Sequence, residues 1–154
     1  MAETFTCEIQ ARMRDINLGG HVDNVEAIRV LDEARLLFLR YAPLPGLPPL
    51  RTGLLHALPD GVTELVVSQQ VNYRAEMRFV AYQPFLVTLW ISRVGRTSFA
   101  ISGELRVEKD GAPAVVFEST TVLWQPEQQE PWPIDNAVRA ELERYMGEPV
   151  AGLR

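Results

Sequence analysis

The sequence predicts an α+β fold in which one long helix is wrapped by an antiparallel β-sheet. Three observations predict it. A capped amphipathic helix opens near Asn24, four later stretches read as strands, and turn signals separate those stretches.

Phe5 to Met13 alternates imperfectly, with Phe5, Cys7, Ile9, Ala11 and Met13 on one parity, and reads as a half-buried strand. Asp23 is an N-cap residue, and Glu26 three positions later completes a capping box. From Asn24 onward Ala27, Leu31, Ala34, Phe38 and Tyr41 share a face, with Val30 and Leu37 beside them and Glu26, Arg29, Glu33 and Arg40 elsewhere. Small Ala27 and Ala34 let a sheet approach the helix closely. The next stretch, APLPGLPPLRTGLLHALPDG, holds five prolines and three glycines and forms no single regular element, although Leu50 to Leu58 reads as a short helix.

Glu64 to Arg74 is the second strand, with Leu65, Val67, Val71 and Tyr73 on one face and Gln69 interrupting it. Phe85 to Arg93 follows, then a turn around Gly95, then Ser98 to Glu108, the clearest alternation in the chain. Asp110-Gly111 carries a hairpin signal, and Ala114 to Trp124 returns as a strand apolar on both faces. After the linker PEQQEPWP, Asp135 caps a terminal helix through Met146, and the last residues read as frayed. The edges of such a sheet need covering, so an oligomer is expected, as a homodimer or a dimer of dimers.

At 154 residues and 47% hydrophobic content, the chain reads as a single domain over 1–154. A net charge of -5 argues against a nucleic-acid surface. Cys7 is the only cysteine, which excludes an intrachain disulfide and a cysteine metal cluster. The start MAETFTCEIQ has no basic and apolar leader pattern, and no stretch is apolar enough to span a bilayer; a cytoplasmic protein without membrane partners is expected.

The residues with chemistry to offer gather ahead of the helix. In LGGHV, Gly19 and Gly20 permit close backbone approach, and the unpaired N–H groups of a helix start attract a carbonyl oxygen or an anion. The same glycines fit a tight strand-to-helix turn equally well. His21 reads either as an active-site base or as a clasp for its own loop. His56 has no neighbours at metal-ligand spacing and reads as structural.

RMRDINLGGHVDNVEAIRVLDEARLLFLR resembles the D-x-D-x-x-G-H-V-x-N segment and following helix of the hotdog-fold acyl-CoA thioesterases of the 4-hydroxybenzoyl-CoA thioesterase family. VNYRAEM and VGRTSF resemble two further stretches of that family in the same order, so the likeness runs over nearly the whole chain. The resemblance implies hydrolysis of an acyl-CoA or acyl-carrier-protein thioester without metal or other cofactor. It also implies a continuous sheet across two subunits, with sites at their interface. It places Asn17 where the family has its catalytic aspartate, beside Asp15, Gly20, Val22 and Asn24. It sets Arg96, Thr97 and Ser98 in the turn that meets the coenzyme A phosphates, with Arg74 and Arg78 adding charge.

A neutral amide has no charge with which to attack a carbonyl or take a proton from water, so Asn17 can only orient. The base then falls to Glu76, His21, Asp15 or Glu33. Plant acyl-carrier-protein thioesterases, which are similar in fold, combine asparagine, histidine and a carboxylate; Glu76 matches their carboxylate, whereas Asn17 and His21 do not keep their Asn-x-His spacing. Each candidate also has a structural use: Asp15 capping a turn or pairing with Arg12 or Arg14, Glu33 pairing with Arg29, Glu76 solvated at a strand end, Arg96 solubilising. Beside hydrolysis stand a non-catalytic acyl-thioester binder, motivated by Asn17, and a hydratase or dehydratase pairing His21 with a carboxylate.

Overall fold

Strict alternation along Phe85–Val94, with Phe85, Val87, Leu89 and Ile91 buried, makes β3 a strand with one face turned to the core. The computed structural model describes residues 3–153, and around β3 it assembles a sheet in the order β1-β3-β4-β5-β2, every pair antiparallel. The strands are β1 Phe5–Ile9, β2 Thr63–Tyr73, β3, β4 Ser98–Arg106 and β5 Val115–Gln125, with a two-residue β6 at Glu130–Pro131 pairing with β5. Helix α1, Asn24–Leu36, buries Ala27, Val30, Leu31 and Ala34 in the core that β3 also faces. This is the hotdog arrangement. Gly103 lies opposite Leu89 and Phe117 in the neighbouring strands, and a Cβ there would collide with both side chains.

Several details depart from the sequence reading, each for a physical reason. The strand expected through Met13 ends at Ile9, and Met13–Asp15 form a 3-10 turn closed by Asp15 Oδ2 accepting from Arg12 N–H at 2.8 Å. Asp23 caps α1 by accepting from Val25 N–H at 2.9 Å. Its own N–H goes to the Asp15 carbonyl, so Glu26 does not complete a capping box and lies 3.6 Å from Arg29 instead. Arg29 was the expected partner of Glu33.

The helix does not run regularly to Tyr41, because Leu37–Tyr41 widen into a π-turn. The extra residue per turn rotates the helical face, so Leu39 is buried and Tyr41 is 67% exposed. The loosened carbonyls of Phe38, Leu39 and Ala42 accept N–H bonds from Leu54, Leu55 and Gly53. Residues 50–58 are therefore a docked loop instead of the expected short helix, and Gly53 lies so close to the Leu39–Arg40 backbone that no Cβ fits. In β2 a bulge between Val66 and Ser68 shifts the register, which puts Leu65 and Val71 on opposite faces. Arg40 donates a forked pair of bonds to Glu64, fastening the end of the helical segment to the start of β2.

Helix α2, Asn136–Arg144, is capped by Asp135 as expected and buries Val138 and Leu142. Beyond it the chain is not frayed: residues 147–153 bond to β3, β4 and β2, and Leu153 is buried. No helix among the described residues is long and apolar enough to cross a membrane.

Cys7 on β1 is half-buried, and burial, seconded by the Glu33 carboxylate, pushes its thiol up to about 11. At pH 8 about one thiol in a thousand is then ionised, so iodoacetamide should label the native protein far more slowly than the urea-unfolded chain. Equal rates, read by mass spectrometry, would contradict the burial.

Candidate active site

The segment 16–22 is a hairpin-like loop built on Asn17. Its N–H donates to the His21 carbonyl at 2.8 Å and its carbonyl accepts from Gly20 N–H at 3.0 Å. Its side-chain Oδ1 accepts from Gly19 N–H at 3.0 Å and His21 N–H at 3.3 Å. Asparagine suits this position because its short amide oxygen reaches backbone N–H groups two to four residues ahead. Gly20 has φ +79, which asparagine or glycine tolerates and other residues resist. Leu18 at the tip is fully exposed.

The loop is pinned from the far side by the stretch after β2. Val22 N–H donates to the Met77 carbonyl at 2.7 Å, and His21 bridges to Arg78. That pairing brings His21 Nδ1 to 3.3 Å from Glu76 Oε2, with Arg78 3.9 Å from the same oxygen. His21 is 27% exposed and Glu76 71%, so the pair sits at a mouth open to solvent.

A cavity of about 400 Å³ opens here, lined by His21, Val22, Asn24, Tyr73, Arg74, Ala75, Glu76 and Met77. Tyr73 was not anticipated as a site residue. Its hydroxyl donates to the Asn24 carbonyl at 2.9 Å and so ties the strand end to the helix start. Burial, with Asp23 nearby, raises its pKa above the ordinary value and keeps it a donor. The inward parity it shares with Val71 was the signal in the sequence. Asn24 opens the helix, and among the described residues its N–H finds no acceptor. Val22 and Val25, by contrast, have theirs occupied. The cavity thus has in its lining a histidine, a carboxylate and the first residue of a helix, whose N–H is unpaired among the described residues.

The remaining expected residues lie elsewhere. Asp15 is spent on its turn and lines a separate cleft of about 620 Å³ between β1 and the outer side of α1, which Glu33 also lines. Arg96 and Thr97 lie in the β3–β4 turn and Ser98 opens β4; the Arg96 and Thr97 carbonyls accept from Ile134 and Leu123 N–H. Tyr73 pairs with Val115 at one end of β5, and Ser98 with Val122 near the other. At about 3.3 Å per residue, the turn and the His21–Glu76 pair therefore stand at opposite ends of the sheet within one chain.

The sequence profile of the thioesterase-like superfamily matches residues 11–142, most of the chain and all of this site. The protein belongs to the thioesterase-like superfamily. No curated protein matches the sequence. Among solved structures, this thioesterase-like chain is similar to a predicted thioesterase from Bacillus stearothermophilus, with 22% identity, a TM-score of 0.73, and 96% of this chain and 100% of that one covered. It is also similar to a 1,4-dihydroxy-2-naphthoyl-CoA thioesterase from Synechocystis, with 15% identity, a TM-score of 0.70 and coverage of 91% and 96%. A Staphylococcus aureus protein solved in complex with CoA aligns at 12% identity and a TM-score of 0.73, covering 94% of this chain and 85% of that one. At these identities the three share the fold.

Proposed function

We propose that the protein hydrolyses an acyl thioester of coenzyme A, with His21 as general base, Glu76 as its orienting partner and the Asn24 N–H as oxyanion donor. The observation that carries this reading is the His21–Glu76 contact at 3.3 Å beside an unpaired helix start, in a member of a thioesterase-like superfamily. With Nδ1–H held by Glu76, the imidazole keeps Nε2 free to take a proton from water. The hydroxide equivalent adds to the thioester carbonyl, whose oxygen gathers negative charge against the Asn24 N–H and the helix dipole. Collapse breaks the C–S bond, and the proton on His21 passes to the departing thiolate. Asn17 takes no part in proton transfer; it shapes the loop that presents His21.

A second copy would complete the binding surface. If β2 pairs antiparallel with β2 of another chain across a two-fold axis, the end of the partner sheet that carries its β3–β4 turn comes to this chain's Tyr73–Glu76 end. Arg96 would then serve the neighbour's site, which gives a role to a residue far from its own. CoA bound to a fold-mate supports coenzyme A as the thiol. The test is thiol release from a panel of acyl-CoA and acyl-carrier-protein substrates; tight binding without thiol release from any of them would make the protein a binder.

Asn17→Asp separates the two chemistries. A carboxylate oxygen can keep both backbone bonds, so the loop should persist while a negative charge appears near the imidazole. That charge favours imidazolium, the form that cannot act as a base. Turnover at neutral pH should therefore fall or hold. A large gain would instead assign the site to an aspartate chemistry that the natural residue has lost.

A further inference from the structure

The segment 147–153 runs over the sheet face turned away from α1 and is held by side chains of three strands. Gly147 N–H donates to the Ile91 carbonyl at 2.8 Å, and Trp90 Nε1 donates to the Glu148 carbonyl at 2.6 Å. Val150 N–H donates to Ser102 Oγ at 3.2 Å. Then come three rungs from one side: Arg74 Nη2 donates to the Ala151 carbonyl at 2.8 Å, Asn72 Nδ2 to the Gly152 carbonyl at 2.5 Å, and Gln70 Nε2 to the Leu153 carbonyl. Gln70, Asn72 and Arg74 alternate along β2 and its continuation, so they share a face.

An extended chain points successive carbonyls to opposite sides, so three consecutive carbonyls cannot all meet that face without a break in the backbone. Gly152, at φ +86, supplies the break. A Cβ on Gly152 would overlap the Arg74 guanidinium, and one on Gly147 would come within 2.9 Å of the Trp90 ring. A side chain at Gly152 would therefore strain its backbone and displace Arg74, and one at Gly147 would force the Trp90 ring to shift.

Arg74 belongs to two structures at once, since it also lines the cavity of His21 and Glu76. Among the described residues it has no carboxylate partner, and the Ala151 carbonyl occupies one of its forked nitrogens, which leaves donors to offer. An otherwise mobile arginine on a strand end is held in one direction by a backbone oxygen. We infer that the C-terminal strap is a positioning element of the substrate site: it sets Arg74 at the cavity rim as a receptor for the phosphate-bearing end of the thioester. The inference rests on the coenzyme A reading above and adds the strap as the element that makes Arg74 competent. Phosphate suits a guanidinium through paired donors, and a guanidinium free to rotate loses part of that gain to side-chain entropy.

The experiment compares wild type, Arg74→Ala, Gly152→Ala, a chain ending at Gly147, and that truncation combined with Arg74→Ala. Calorimetry reads affinity for coenzyme A alone, and kinetics read KM and kcat for an acyl-CoA and for the matching N-acetylcysteamine thioester, which lacks the nucleotide. Loss of a charge-assisted contact should weaken coenzyme A roughly tenfold in each single variant. The same variants should raise the KM ratio of acyl-CoA to the short thioester by a similar factor, and Gly152→Ala, which lies outside the cavity lining, should retain kcat for the short thioester. The combined variant should bind no more weakly than Arg74→Ala, because both changes remove one contact. Coenzyme A affinity that survives truncation, equal losses on both substrates, or losses that multiply in the combined variant would each overturn the inference. If the truncated chain melts below assay temperature, Gly152→Ala, a one-methyl change, decides by the same criteria. A wild type that binds coenzyme A, loses it through the strap variants and releases no thiol would keep the strap and end the hydrolase reading. Turnover with strap-independent affinity would do the reverse.

Discussion

His21→Gln is expected to lower kcat for acyl-CoA hydrolysis by about two to four orders of magnitude, the range that a positioned general base contributes. Glutamine keeps a polar side chain near the position of the imidazole and leaves the bond from Val22 N–H to Met77 untouched, so the loop should keep its shape. What disappears is the imidazole that lines the cavity in contact with a carboxylate. Glu76→Gln should cost less, because Glu76 is 71% exposed and water shares its part in balancing the imidazolium formed during the reaction, while an amide oxygen can still accept from Nδ1–H. The pattern matters more than either value. A Glu76 variant more damaged than the His21 variant would exchange their roles and make the carboxylate the base. A His21→Gln enzyme with undiminished turnover, its fold checked by circular dichroism, would remove the pair from the chemistry altogether.

How much of this was legible in the sequence depends on the range of the interaction concerned. The helix start at Asp23, the Asp135 cap and the alternation of β3 are written in neighbouring residues, and local physics sufficed for them, whereas β4 is buried on both faces from Phe99 to Gly103 because the strap covers its outer side. The π-turn at Leu37–Tyr41 was not legible, because its freed carbonyls are satisfied by Gly53, Leu54 and Leu55, a contact between segments that periodicity cannot see. The same holds for the β2 bulge and for the strap, whose order comes from Trp90, Ser102 and the alternate residues Gln70, Asn72 and Arg74.

In the site, His21 and Glu76 could be named from sequence, but their contact could not: 55 positions separate them, and only the pairing of the loop with Met77 and Arg78 joins them. Asn17 shows the opposite limit. Its position marked it for chemistry, and its atoms are engaged in the loop backbone, a use that leaves no trace distinct from catalysis in a lone sequence.

Leu65→Lys with Val67→Lys is expected to convert a dimer into monomers and to take activity down with it. β2 is an edge strand of eleven residues with nothing hydrogen-bonded on its outer side among the described strands, and it contains no lysine or proline to discourage pairing. Leu65 is 44% exposed, Val67 57% and Tyr73 45%, apolar surface that an isolated chain leaves in water. A two-fold axis near the middle of β2 would bring the same strand of both copies together, so four added ammonium groups would be crowded into one apolar seam and lose water. Such juxtaposition costs several kcal/mol, enough to weaken dimerisation by about a hundredfold or more. The monomer should stay folded, because both side chains are exposed and neither belongs to the buried core. Its own His21, Glu76 and Asn24 remain in place, yet the other end of the sheet, with Arg96, would no longer be supplied by a neighbour. Sedimentation should therefore report a monomer, circular dichroism a native spectrum, and the acyl-CoA assay a large rise in KM. A folded monomer with wild-type KM would confine the whole site to one chain. A variant that stays dimeric would move the interface away from β2.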